Sequence, residues 1–178
     1  GLEILEDLPE LDTVVVPIGG GGLAAGLALA IKAVRPSVRV VGVQAAGAAA
    51  MSESFARGER VVHAQPATIA DGIRIGAPGR RTFELVRTHL DEIVTVSDDE
   101  ITDAVVQTLE KSKVVAETAG VVGMAALAAR KFAVTAEERG GAVVSGGNID
   151  LNLLARLIEN GLARSGATHL VDVRLPDR

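Results

Sequence analysis

Apolar and polar positions along the chain alternate between two kinds of run. Short, almost uninterrupted β-branched runs occur in "DTVVVPI", in "SVRVVGVQ" (Ser37 to Gln44) and in "DEIVTVSD", and a fourth run in "GAVVSGGNID" (Gly141 to Asp150) ends in a glycine turn. Each reads as a buried strand. Between them lie segments with apolar residues at helical spacing: "GLEILEDL" (Gly1 to Leu8), Leu23 to Val34, "AAGAAAMSESFARGE" up to about Gly58, and about Arg81 to Leu90. Further helices are predicted in "DEITDAVVQTLEKSK", with Ile101, Val105 and Leu109 on one face, in "AETAGVVGMAALAARKF", and after Asp150 through Leu162.

Punctuation supports these boundaries. Pro36 disfavours helix at Arg35, Ser97 is placed to cap a helix starting at Asp98 or Asp99, and "TIADGIRIGAPG" (Thr68 to Gly79) reads as a glycine-bearing loop. Strands alternating with helices predict an α/β unit with a mainly parallel sheet. The last segment, "ATHLVDVRLPDR", alternates and then meets Pro176, which fits an edge strand or the opening of a following domain.

Composition narrows the function classes. The chain has 178 residues, 48% hydrophobic and 23% charged, which suits one domain with a well-buried core. A net charge of −5, no basic cluster longer than Arg80-Arg81 and only 2% aromatic residues argue against nucleic acid. There is no cysteine, hence no disulfide or thiolate chemistry. His63, His89 and His169 have no metal-ligand spacing and read as surface residues. No apolar window long enough to cross a membrane occurs and no secretion signal precedes the first helix, so a soluble, cytoplasmic protein is expected.

The densest chemical signal is "VVVPIGGGGLAAGLALAIKAV" (Val14 to Val34), a strand, four consecutive glycines and a helix. Ordering four glycines costs conformational entropy, which suits a loop that something approaches closely. At the carboxyl end of a parallel strand and the amino end of a helix, free amides and the helix dipole favour an anion, most simply a phosphate. A triphosphate loop requires Lys and then Ser or Thr after its last glycine, where Leu23, Ala24 and Ala25 stand here. The relaxed dinucleotide pattern is met by Gly20, Gly22 and Ala25, but Gln44 replaces the carboxylate that holds a ribose hydroxyl. A purely structural turn needs one or two glycines rather than four.

The segments "GLEILEDL", "VPIGGGGLAAG", "TIADGI", "DEIVTVSDDEI", "AETAG" and "VSGGNID" together resemble the pyridoxal-phosphate-dependent threonine and serine dehydratases, a family whose close relatives include serine racemase. The resemblance implies a three-layer α/β fold with a twisted, mainly parallel sheet, the fold type II architecture of tryptophan synthase β-like enzymes, present here in part. By the same resemblance, the backbone amides of Gly19, Gly20, Gly21, Gly22 and Leu23 hold the phosphate of pyridoxal phosphate. Ser145 sets its hydroxyl against the pyridine nitrogen, Gly72 passes close to the cofactor, and Glu117 is a catalytic carboxylate near the ring. On sequence alone, Ser145 also suits a turn-bonding or capping hydroxyl, Glu117 a solvated first-turn carboxylate beside a Thr118 N-cap, and Gly72 an ordinary turn glycine. A neutral hydroxyl at the ring nitrogen makes a weaker electron sink than a carboxylate would, which favours β-elimination over transamination.

Two departures from the family pattern shape the expectation. The lysine that bonds the cofactor aldehyde lies in a Ser-Phe-Lys motif, whereas Lys32, Lys111, Lys113 and Lys131 have no such context. The Ser-Gly-Asn-His substrate loop is missing as well. Residues 1–165 are therefore expected to be the carboxyl-terminal part of a catalytic domain, inactive alone and completed by an amino-terminal part, with 166–178 a terminal strand or the entry to a regulatory domain. Serine-racemase-like members bind a divalent cation through a Glu and an Asp just after the second strand; "QAAGAAA" (Gln44 to Ala50) has neither, so no metal site is expected. The implied parent is a homo-oligomeric threonine dehydratase acting on a small hydroxy amino acid. The alternatives are a racemase, a non-catalytic domain for a phosphorylated ligand, and an NAD-dependent fragment.

Overall fold

A computed structural model describes residues 1–166; the expected terminal segment, Ala167 to Arg178, lies outside them. Four strands, β1 (Thr13–Pro17), β2 (Arg39–Ala45), β3 (Glu92–Val96) and β4 (Gly140–Ala142), form one sheet in the order β3-β2-β1-β4. All the strand pairings are parallel. The predicted sheet type holds throughout the described residues.

The β-branched runs are uninterrupted because both faces of the sheet are covered. Along β1, Val14 and Val16 join one apolar cluster while Val15 joins the other, and along β2 Val40 faces the first and Val41 and Val43 the second. Each of these valines is 1% exposed or less, so each contributes roughly 1.5–3 kcal/mol of hydrophobic burial. Helices α1 (Leu2–Asp7), α2 (Gly22–Val34), α3 (Ala50–Arg57) and α4 (Arg80–His89) supply the first cluster through residues such as Leu5, Ile31, Met51 and Phe83. Helices α5 (Asp98–Gln107), α6 (Val122–Ala128) and α7 (Leu151–Arg164) supply the second through Ile101, Val122 and Leu157. The result is three layers.

Most predicted boundaries fall where capping chemistry places them. Ser97 caps α5 by accepting from the Glu100 N–H at 3.2 Å, and Glu100 returns the bond by accepting from the Ser97 N–H at 2.7 Å. Gly58, at φ 72°, ends α3. Three expectations need correction. The segment "AETAG" is not helical: α6 starts only at Val122, and Thr118 is no N-cap, because its hydroxyl donates to the Ile69 carbonyl 2.9 Å away. The fourth strand pairs over Gly140–Ala142 alone, with one further bond from the Val143 N–H to the Val15 carbonyl. His63, read as a surface residue, is half-buried there, with its ring nitrogen 2.6 Å from a Glu53 carboxylate oxygen.

The short β4 has a positional consequence. Its pairing with β1 stops at Val15, two residues before Pro17, which has no N–H to contribute to a ladder. The chain leaves β1 through α2 to β2 on one side, while β4 lies on the other, so the strand order reverses between β1 and β4. In open parallel sheets such a reversal opens a crevice at the carboxyl ends of the two strands.

Candidate active site

The cleft at that point has a volume of about 240 Å³. The glycine loop that follows β1 forms one wall through Gly19, Gly20, Gly21, Gly22 and Leu23, and Ser145, three residues past β4, stands across from it. Gly72, in a 3₁₀ turn at Asp71–Ile73, and Glu117, in the connection between α5 and α6, complete the set. All eight residues singled out in the sequence thus line one cleft, although they come from four distant segments. Pro17, Ile73 and Ala119 also line it and were not singled out.

Long-range hydrogen bonds hold these segments to one another. The Thr118 hydroxyl ties the Glu117 segment to Ile69 in the Gly72 loop, and the Glu117 N–H donates to the Gly146 carbonyl at 3.2 Å beside Ser145. Gly120 packs so closely on the Ser145 carbonyl that no side chain fits at that position. These contacts tie residues 117–120 to other segments ahead of α6, which starts at Val122. The Gly72 N–H donates to the Asp71 carboxylate at 2.9 Å, a local turn bond.

The glycine loop lines the cleft with residues whose amides are unpaired. Among the described residues, the N–H groups of Gly19, Gly20, Gly21, Gly22 and Leu23 have no acceptor within the protein. Gly21 adopts φ 93°, which only glycine enters at low cost, and it caps the amino end of the 13-residue helix α2. No acidic residue lies in the first turn of α2, so its positive dipole end is unopposed there. Among the described residues no Lys or Arg lines the cleft, and what they offer an anion is these amides and the helix terminus. The arrangement fits a phosphate: the donors are free and the loop lacks the Cβ atoms that would keep a ligand at a distance.

Among the described residues Glu117 is the one charged side chain on the cleft wall. It is half-buried, and its carboxylate lies between the positions where Gly72 and Gly146 would carry a Cβ, 3.5 Å from the former. Ser145 is half-buried, and its hydroxyl makes no hydrogen bond to the described residues, so it is open to a ligand atom.

The profile of the family described as pyridoxal-phosphate dependent enzyme matches residues 1–146. The chain belongs to that family. Similar proteins include the L-threonine ammonia-lyase of Thermotoga maritima, 48% identical over 100% of this chain and 44% of that protein. The catabolic L-threonine dehydratase TdcB of Escherichia coli K12 is 45% identical over 88% of this chain and 48% of its own length. The chain thus spans less than half the length of these curated relatives. Among solved structures, maize serine racemase matches with a TM-score of 0.81 at 38% identity, covering 93% of this chain and 51% of that one. The processed form of threonine deaminase isoform 2 from Solanum lycopersicum matches with a TM-score of 0.82 at 33% identity, covering 89% and 44%. The three-layer parallel architecture is that of this family's structures. Among the described residues there is no group of three His, Asp or Glu side chains placed to hold a metal, and no helix is long and apolar enough to cross a membrane.

Proposed function

We propose that this chain is the cofactor-holding part of a threonine dehydratase, which converts L-threonine to 2-oxobutanoate and ammonia, with L-serine as a second substrate giving pyruvate. What carries the reading is the row of five amides, Gly19 to Leu23, that find no acceptor among the described residues and line a cleft together with the Ser145 hydroxyl and the Glu117 carboxylate. The identities of 48% and 45% to proteins named for threonine as substrate support the choice of reaction.

Bound pyridoxal phosphate supplies the electron sink that lets the amino acid lose its α-proton and then its β-hydroxyl. In this reading the amides of Gly19 to Leu23 and the amino end of α2 bind the phosphate and fix the depth of the ring. The Ser145 hydroxyl bonds the ring nitrogen, and being neutral it does not hold a proton there, which limits the sink to elimination. Gly72 leaves room for the ring to lie against its backbone. Glu117 is the carboxylate within the cleft that accepts or returns a proton during loss of the β-hydroxyl as water. The released enamine then takes up water and gives the 2-oxo acid and ammonia.

Residues 1–165 form, in this proposal, the carboxyl-terminal part of the catalytic domain, and the aldehyde-bonding lysine and the substrate loop belong to another part of the enzyme. The working protein is cytoplasmic and homo-oligomeric. The test is a 2-oxo acid assay of the full-length protein with L-threonine and L-serine. Release of 2-oxobutanoate from threonine supports the reading, and D-serine without any 2-oxo acid moves the assignment to a racemase.

A further inference from the structure

The orientation of the glycine loop is set from outside the cleft. The Gly20 carbonyl accepts from the Thr82 hydroxyl at 2.6 Å and from the Gly79 N–H at 3.3 Å, both at the amino end of α4. The Thr82 hydroxyl has a single proton. Its second neighbour, the Gly79 carbonyl, lies farther off at 3.2 Å, so the proton belongs to Gly20. No residue of α4 lines the cleft.

A peptide unit is planar and trans, so its C=O and the following N–H point in opposite directions. Fixing the Gly20 carbonyl towards α4 therefore turns the Gly21 N–H away from α4, towards the side on which the loop borders the cleft. Two neighbouring carbonyls are held too: Ile18 accepts from the buried Gln44 amide at 3.3 Å, and Gly21 accepts from the Ala25 N–H at 2.9 Å. Of these three anchors, the Gly20 anchor comes from the element farthest along the chain, 62 residues away. Its placement is firm, because Phe83, the next residue, is 2% exposed in the core between α4 and α2.

We propose that Thr82 is a positioning residue for phosphate recognition, holding the Gly20–Gly21 peptide in the one orientation that aims the Gly21 N–H at the ligand. The proposal rests on the reading of the loop as the site of the cofactor phosphate. It assigns Thr82 no contact with the ligand. Without the hydroxyl, the longer bond from the Gly79 N–H at 3.3 Å is what still holds the Gly20 carbonyl, and in a run of four glycines the amide array loses part of its preorganisation.

The test compares pyridoxal phosphate with pyridoxal, which differ only in the phosphate, by spectroscopic titration of the full-length apoprotein. Thr82→Val is expected to weaken pyridoxal phosphate binding about tenfold and leave pyridoxal binding unchanged, while Thr82→Ser stays within about twofold of the unaltered protein for both. Should the valine variant fold poorly, Thr82→Ala makes the same comparison. A variant lacking the hydroxyl that keeps the full preference for pyridoxal phosphate overturns the role of Thr82. An unaltered protein without any preference for pyridoxal phosphate over pyridoxal overturns the reading of the loop itself.

Discussion

Glu117 occupies the space in which a Cβ on Gly146 would sit, with Oε2 2.9 Å from that position, and its own N–H donates to the Gly146 carbonyl at 3.2 Å. Gly146 also adopts φ 77°. Gly146→Ala therefore adds a left-handed backbone cost of about 1–2 kcal/mol to a direct collision with the carboxylate. The expected outcome is a lower melting temperature together with weaker cofactor binding, because Ser145 and Glu117 are displaced as a pair. Thermal unfolding with and without pyridoxal phosphate checks it, and an alanine variant with unchanged ligand stabilisation would show that the two residues do not share a site.

Gly20 and Gly21 answer differently to substitution. A Cβ at Gly20 meets nothing nearer than an Ile75 methyl at 4.0 Å, whereas one at Gly21 comes within 2.6 Å of the Met51 methyl in a left-handed position. Gly20→Asp should accordingly fold and yet lose phosphate binding, since the carboxylate repels the anion. Gly20→Ala should fold with a smaller loss, and Gly21→Ala should be destabilised outright. Circular dichroism with cofactor titration separates the three, and intact cofactor affinity in Gly20→Asp removes the loop from the phosphate site.

The features legible in the sequence are those in which neighbouring residues settle the matter. The buried strands, the Ser97 cap and the glycine loop depend on composition and spacing within a few positions. The failures are non-local. "AETAG" looks helical until the Thr118 hydroxyl and the Glu117 N–H are engaged by Ile69 and Gly146, which no periodicity shows. Thr82 is one threonine in an amphipathic helix, and its bond to Gly20 appears only once α4 packs on α2. Gly146, in "VSGG", did carry a signal, since paired glycines after a strand suggest a positive φ.

Glu100 offers a prediction with pH. Burial raises its pKa, but the Lys131 ammonium at 2.7 Å and the Ser97 N–H outweigh that and hold the carboxyl below its ordinary value of 4.5. A folded-state pKa below the unfolded one stabilises above the ordinary value, and that stability is lost as the pH falls through the folded value. Glu100→Gln keeps the capping geometry and loses the charge, so at neutral pH it should cost up to about 1 kcal/mol. The two proteins should converge in stability below pH 4.5, as measured by denaturant melts across the acid range.

Gln44 predicts the opposite slope. Its side chain is 0% exposed, its Nε2 donates to the Ile18 carbonyl at 3.3 Å and its Oε1 accepts from the Ser52 N–H at 2.8 Å. One amide thereby joins the root of the glycine loop to α3. Gln44→Leu leaves both backbone groups without a partner and should cost about 1–3 kcal/mol for each. Gln44→Glu keeps the acceptor for Ser52 but sets a buried carboxylate oxygen against the Ile18 carbonyl. Burial and that repulsion raise the folded pKa of the new carboxyl, so the variant is least stable where the group is ionised and recovers as the pH falls and the protonated acid donates to Ile18. Denaturant midpoints that improve on acidification in Gln44→Glu, while they decline in the parent protein, would show that position 44 has to be uncharged beside the Ile18 carbonyl. A variant that follows the parent at every pH would remove Gln44 from the support of the loop.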